Sequence, residues 1–155
     1  MTLRIVERPA VNVVCRHYTG PLGEPLNRFW RQTVNPWLAD LGLLDCPRYG
    51  VTLDNPNITP PDRCRYDACI ELPPGLVLEA VDRATIAGGR YAVTPYRGNA
   101  ADIGAAWDNM YGALFASGAW RLDASRHSFE HYPRGAAYDA RSGVFTCELC
   151  LPLSN

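Results

Sequence analysis

The amino-acid sequence is duplicated. Two stretches can be laid over one another with a shift of about 78 residues, so that Tyr18-Thr19-Gly20 answers to Tyr96-Arg97-Gly98. A helical pattern follows each copy. Leu22, Leu26, Phe29, Trp30, Thr33, Trp37 and Leu41 make one apolar stripe; Ile103, Ala106, Trp107, Met110, Tyr111 and Leu114 make another. Gly42 and Gly118 stand where each helix should stop. Pro36 falls inside the first pattern and should kink or split that helix, because proline removes an amide donor and crowds the preceding turn. The second helix should be the straighter.

Strand-like runs flank each helix. They lie at about 3–7, 11–18, 49–54 and 65–72 in the first copy, and at about 76–86, 91–96, 127–132 and 144–151 in the second. Turn chemistry separates them at Asp54-Asn55-Pro56, Thr59-Pro60-Pro61, Pro73-Pro74-Gly75 and Gly88-Gly89. The fold class expected is α+β, with duplicated strand-strand-helix-strand-strand units at about 3–73 and 76–153 within one domain, 1–155. An antiparallel eight-stranded sheet would carry both helices on one face and leave a groove between them. Pro73-Pro74-Gly75 is the natural seam.

Composition narrows the function. The 155 residues are 47% hydrophobic and 20% charged, ordinary globular values without an apolar run long enough to cross a bilayer. With 15 basic and 16 acidic residues in mixed order, the chain offers no stripe to neutralise phosphates, so direct nucleic-acid binding and a membrane partner are not expected. The N-terminus lacks the basic-then-apolar layout of an export signal, which implies a cytoplasmic protein. The six cysteines are read as free buried thiols. Cys147 and Cys150 are three apart in a strand and point to opposite faces; Cys64 and Cys69 fail as a pair in the same way, and Cys15 and Cys46 stand alone. His17, His127 and His131 lack a partner at ligand spacing and are read as surface or strand-edge residues. No metal site or cofactor is expected, and no nucleophile elbow, phosphate loop or dinucleotide fingerprint is present.

Several short motifs resemble one family. Asp54-Asn55-Pro56-Asn57-Ile58-Thr59-Pro60 followed by Cys64-Arg65-Tyr66-Asp67-Ala68-Cys69, with Tyr18-Thr19-Gly20-Pro21, Ile86-Ala87-Gly88-Gly89-Arg90-Tyr91-Ala92-Val93, Phe129-Glu130-His131-Tyr132 and Glu148-Leu149-Cys150-Leu151-Pro152, are similar to signatures of the gyrase-inhibitor-like domains. The same domain binds effectors in AraC-type and MerR-type regulators. The resemblance spans nearly the whole chain and leaves no room for a helix-turn-helix, which implies a stand-alone member. It further implies small-molecule binding, inhibition of a partner such as DNA gyrase, or hydrolysis of strained electrophiles.

Glu148 is the first candidate residue, since it interrupts an otherwise uncharged strand and a carboxylate out of water needs a reason. Alternation places it with Thr146 and Cys150, opposite Cys147 and Leu149, which suits either groove or solvent. The resemblance implies the floor of the ligand pocket, with Tyr132 on the neighbouring strand. Four Trp and eight Tyr are generous for one domain, and Trp30, Trp107 and Tyr111 fall on the helix faces expected to border the groove. An acidic floor with aromatic walls complements a lipophilic, cationic molecule. Three functions follow: binding such a ligand through Glu148, Tyr132, Trp107, Trp30 and Tyr111; hydrolysis with Glu148 and Tyr132 as the catalytic pair; and gyrase inhibition by protein contact. Monomer and homodimer are both compatible, a dimer pairing through an exposed sheet edge or outer face.

Overall fold

Residues 3–154 are described by the structure, a computed structural model; Met1, Thr2 and Asn155, the outermost residues of the expected domain, lie outside the described residues. The strands are β1 (Arg4–Arg8), β2 (Val11–Thr19), β3 (Arg48–Thr52), β4 (Arg65–Ile70), β5 (Asp82–Ile86), β6 (Gly89–Gly98), β7 (Arg121–Leu122), β8 (Phe129–Tyr132) and β9 (Phe145–Ser154). All pairings among them are antiparallel, in the order β1-β6-β9-β8-β3-β4-β2-β5, with the short β7 paired to β9. The two copies therefore meet where β3 pairs with β8. Each copy also lends its first strand to the other: β1 pairs with β6, and β5 pairs with β2.

That exchange forces the sheet to curl. Pro9 and Ala10 join β1 at one edge to β2, six strand spacings away in the pairing order, which is about 29 Å in a flat sheet. Two residues reach roughly 10 Å at most. Ala87 and Gly88 make the mirror connection from β5 to β6, and the two links touch: a Cβ on Gly88 would stand 2.7 Å from the Ala10 nitrogen. The result is an open half-barrel. Its interior holds Val13, Cys15, Tyr49, Val51, Cys69, Ile86, Tyr91, Val93, Phe129 and Cys150, drawn from both ends of the sheet.

Two helical rods cover the outer face. The first runs without a break through α1 (Glu24–Phe29), a π-helical stretch at Trp30–Val34 and α2 (Asn35–Asp40). Pro36 divides the α-helical pattern without ending the rod. The Asn35 amide donates to the Trp30 carbonyl, one residue further back than in an α-helix, and the widened turn absorbs the missing donor. The second rod, α3 (Ile103–Ser117), is uninterrupted and ends on Gly118 in the left-handed region, φ 63°. Val34 and Leu38, with Leu43 just beyond the rod, pack the first rod on Val14, Tyr66, Ala68 and Ile70; Met110 and Leu114 pack the second on Ala92, Cys147, Leu149 and Leu151.

Three expectations are corrected. The run expected from Leu76 becomes a strand only at Asp82, because Leu78 and Val81 pack as loop residues against the cluster beneath the first rod. β7 carries no signal in two residues, and His127 lies outside β8. Cys15 does not stand alone: it faces Cys69 across β2 and β4, sulfurs 3.0 Å apart. All six thiols are free and buried, and Cys147 and Cys150 enter cores on opposite faces of the sheet. Among the described residues no group of three or more His, Cys, Asp or Glu could hold a metal ion, and no helix is long and apolar enough to cross a membrane.

Candidate functional site

The outward face of β3, β4 and β8 supplies a polar floor between the two rods. Residues two apart on a strand share a face, so Glu130 and Tyr132 on β8 point the same way as Arg48 and Gly50 on β3 and Tyr66 on β4. Register puts Glu130 opposite Gly50 and Tyr132 opposite Arg48. Gly50 has no side chain, and the space above it is filled by the Tyr66 hydroxyl and Glu130 Oε1.

Glu130 is 6% exposed. Tyr66 and Tyr132 donate their hydroxyls to its Oε1 at 2.9 and 3.0 Å, and the Trp107 indole donates to Oε2 at 3.4 Å. Trp30 in turn donates its indole N–H to the Tyr66 oxygen at 3.1 Å. Burial pushes the Glu130 carboxyl above the usual range, against the lowering pull of those three donors. Burial and the neighbouring carboxylate push both phenols well above theirs, so they remain protonated donors. Every partner of this carboxylate is neutral. No arginine or histidine forms an ion pair with it among the described residues.

Above the floor lies a cavity of about 230 Å³. It is lined by Leu26 and Trp30 of the first rod, by Ile103 at the start of the second rod and Ala100 just ahead of it, and by Tyr138 and Phe145. The Trp30 and Tyr132 rings sit 5.7 Å apart and Tyr132 lies 6.0 Å from Phe145, a continuous aromatic surface. The π-helical stretch begins at Trp30 itself, so the device that accommodates Pro36 also sets where this indole sits.

Glu148 lies elsewhere. It pairs with His131 in the register of β8 and β9, and alternation turns it away from Glu130 and toward the other face. There it accepts from Arg4 at 2.6 Å and meets His131 Nδ1 at 3.0 Å, which hold its carboxyl below the ordinary value despite partial burial. Its isolation in sequence is answered by an ion pair and not by a ligand pocket. His131 is correspondingly no edge residue: it is largely buried and stacks on Tyr49 at 5.0 Å. Tyr111 is also removed from the cavity, its hydroxyl bonded to Ser128 and its ring stacked on Phe115. Trp30 and Tyr132 line the cavity, Tyr132 bonded to Glu130 directly and Trp30 through the Tyr66 hydroxyl, whereas Trp107 bonds Glu130 without lining it. Sequence reasoning missed Glu130, Tyr66, Gly50 and Arg48.

A family model described as the GyrI-like small molecule binding domain matches residues 1–154. A protein of Pantoea sp. (strain At-9b) named DNA gyrase inhibitor is 28% identical, over 99% of this chain and 98% of its own length. The structure of SAV2435 bound to tetraphenylphosphonium is similar at a TM-score of 0.68 and 17% identity, covering 100% of this chain and 95% of that one. A structure from Listeria innocua described as a hydrolase is similar at a TM-score of 0.60 and 15% identity, covering 98% and 91%. At such identities the two structures speak for the fold.

Proposed function

The chain belongs to the GyrI-like small molecule binding domain family, and from that premise we propose that its cavity takes up a small lipophilic cation, with Glu130 as the counter-charge. The observation that carries this reading is a buried carboxylate whose partners are all neutral. Taking a charge out of water is costly unless an opposite charge meets it, so the site is poised to gain when a cation arrives without its hydration shell. The Trp30 and Tyr132 rings add an attraction of about 0.5–2 kcal/mol each where a face meets the cation. The neighbouring fold that holds tetraphenylphosphonium supports the same ligand class.

Tetraphenylphosphonium titrated into the protein, followed by tryptophan fluorescence, tests this. Saturable binding should weaken at least about tenfold, roughly 1.4 kcal/mol, in Glu130→Gln. Glu148→Gln, altered on the other face, should leave it in place. Because this probe cannot titrate, its affinity should fall on acidification as Glu130 takes up a proton, beginning above the usual carboxylate range, and the fall should be absent in Glu130→Gln. Binding that ignores both the substitution and the pH would refute the reading.

Two further readings have support of their own. Glu130 with the protonated Tyr66 and Tyr132 hydroxyls is a base and two hydrogen-bond donors in one pocket, the groups needed to direct water onto a strained electrophile; the Listeria neighbour described as a hydrolase supports this. Product detected by mass analysis of an epoxide incubation, and lost in Glu130→Gln, would establish it. The name of the Pantoea relative supports gyrase inhibition, and a supercoiling assay that is silent at stoichiometric protein would exclude it.

A further inference from the structure

The cavity carries a second charge that the fold leaves without an opposite. Arg48 lines it from β3, half-buried. Its guanidinium donates to the Asn35 side chain at 2.8 Å and lies over the Trp30 ring at 5.9 Å, both neutral partners. No carboxylate pairs with it among the described residues, whereas Arg31, which lines the same cavity from the first rod, is held by Glu24 at 3.1 Å. Partial desolvation lowers the Arg48 pKa, the mark of a cation that has given up water without gaining an anion. Glu130 is the obvious partner, yet its acceptor oxygens are taken by two phenols and an indole. Arg48 and Gly50, which faces Glu130, are two residues apart on one strand, about 7 Å along the backbone. One cavity therefore presents an unpaired anion and an unpaired cation, diagonal neighbours on the floor made by β3 and β8.

We propose that the pocket selects amphoteric ligands, an aromatic body bearing a cationic group that meets Glu130 and an anionic group that pairs with Arg48. This rests on the reading of Glu130 above and refines it. A guanidinium is suited to the task because its planar fork can grip a carboxylate, sulfonate or phosphate through two parallel hydrogen bonds. A simple lipophilic cation would satisfy Glu130 while meeting repulsion from Arg48. The second charge thus sets specificity within the ligand class.

A matched probe series decides the matter: an arylmethylamine, its para-carboxylate and the methyl ester of that carboxylate, on one-ring and two-ring skeletons, each titrated by calorimetry. The carboxylate should bind at least about tenfold tighter than its ester to the native protein. In Arg48→Gln that preference should vanish while the plain amine binds more tightly, since the repelling charge is gone. Arg48→Lys, which keeps the charge without the fork, should retain part of the preference and shows that the effect is electrostatic and not a loss of fold. Equal affinity of acid and ester, with amines still bound through Glu130, would overturn the amphoteric inference alone. Amines that fail to bind, or bind indifferently to Glu130→Gln, would overturn the reading beneath it as well.

Discussion

Gly50 is the residue on which the site's geometry turns. A Cβ there would overlap the Tyr66 hydroxyl and stand 2.6 Å from Glu130 Oε1, so the two groups can occupy their positions only because this strand residue has no side chain. Gly50→Ala should therefore cost about 1–3 kcal/mol of stability by overpacking and weaken tetraphenylphosphonium binding beyond tenfold; urea unfolding and a fluorescence titration read the two effects. Gly112→Ala on α3 is the contrasting case, exposed and with nothing within 4 Å of an added Cβ. It should raise stability by about 0.5–1 kcal/mol through helix propensity and leave binding unchanged. At this scale the sequence was half legible. It marked Tyr132 and the helix tryptophans, and the parity of β8 already puts Glu130 on the face of Tyr132. It could not say that Glu148, on the next strand of the chain, takes the opposite face, because alternation fixes relative direction and leaves the inside undetermined until register is known.

Among the elements, β5 is held in an unusual way. It is an edge strand with mostly exposed side chains, paired among the described residues to β2, and His17 on β2 links the strands on either side: Nδ1 meets Asp67 of β4 and Nε2 meets Asp82 of β5, each at 2.5 Å. Hydrogen bonds to these two carboxylates raise the His17 pKa from 6.5 to about 9. A histidine whose pKa is raised by folding contributes stability that is fully present below its unfolded value and disappears as pH rises through the folded one. The grip on β5 should accordingly weaken between about pH 6.5 and 9. Since the His17 side chain is 57% exposed, solvent and salt screen the effect, and the loss should be smaller in high salt. Amide exchange in Asp82–Ile86, faster at pH 9.5 than the intrinsic rate explains, would show it; His17→Asn should remove the pH dependence, and a clamp unaffected by that change would refute it. The helices were the most legible elements because a 3.6-residue stripe repeats over several turns. The late start of β5 was not legible, since Leu76 to Val81 look the same whether they pair in a sheet or cover a core from a loop.

For the molecule as a whole, the duplication was visible and the exchange of first strands was not. Both arrangements share one sequence pattern, and only pairing partners distinguish them. The exchange has a consequence for cooperativity. The half-barrel interior takes Val13, Cys15, Tyr49, Val51 and Cys69 from the first copy and Ile86, Tyr91, Val93, Phe129 and Cys150 from the second. The cavity lining is divided in the same way, with Trp30, Arg48 and Tyr66 on one side of the seam and Glu130 and Tyr132 on the other. Neither copy alone can bury its apolar face or complete the site, so the chain should unfold in one transition whatever the probe. Residues 1–74 and 75–155 made as separate chains should each lack a cooperative melt, and mixing them should restore one, together with binding. Ligand must then stabilise the whole assembly, by about 2.7 kcal/mol at a hundred times its dissociation constant. Because the bound molecule bridges the copies, that gain should appear in the reassembled fragments as tighter association of the two halves. A half that melts sigmoidally by itself would show that the exchanged strands add reach to the sheet without binding the two copies into one folding unit.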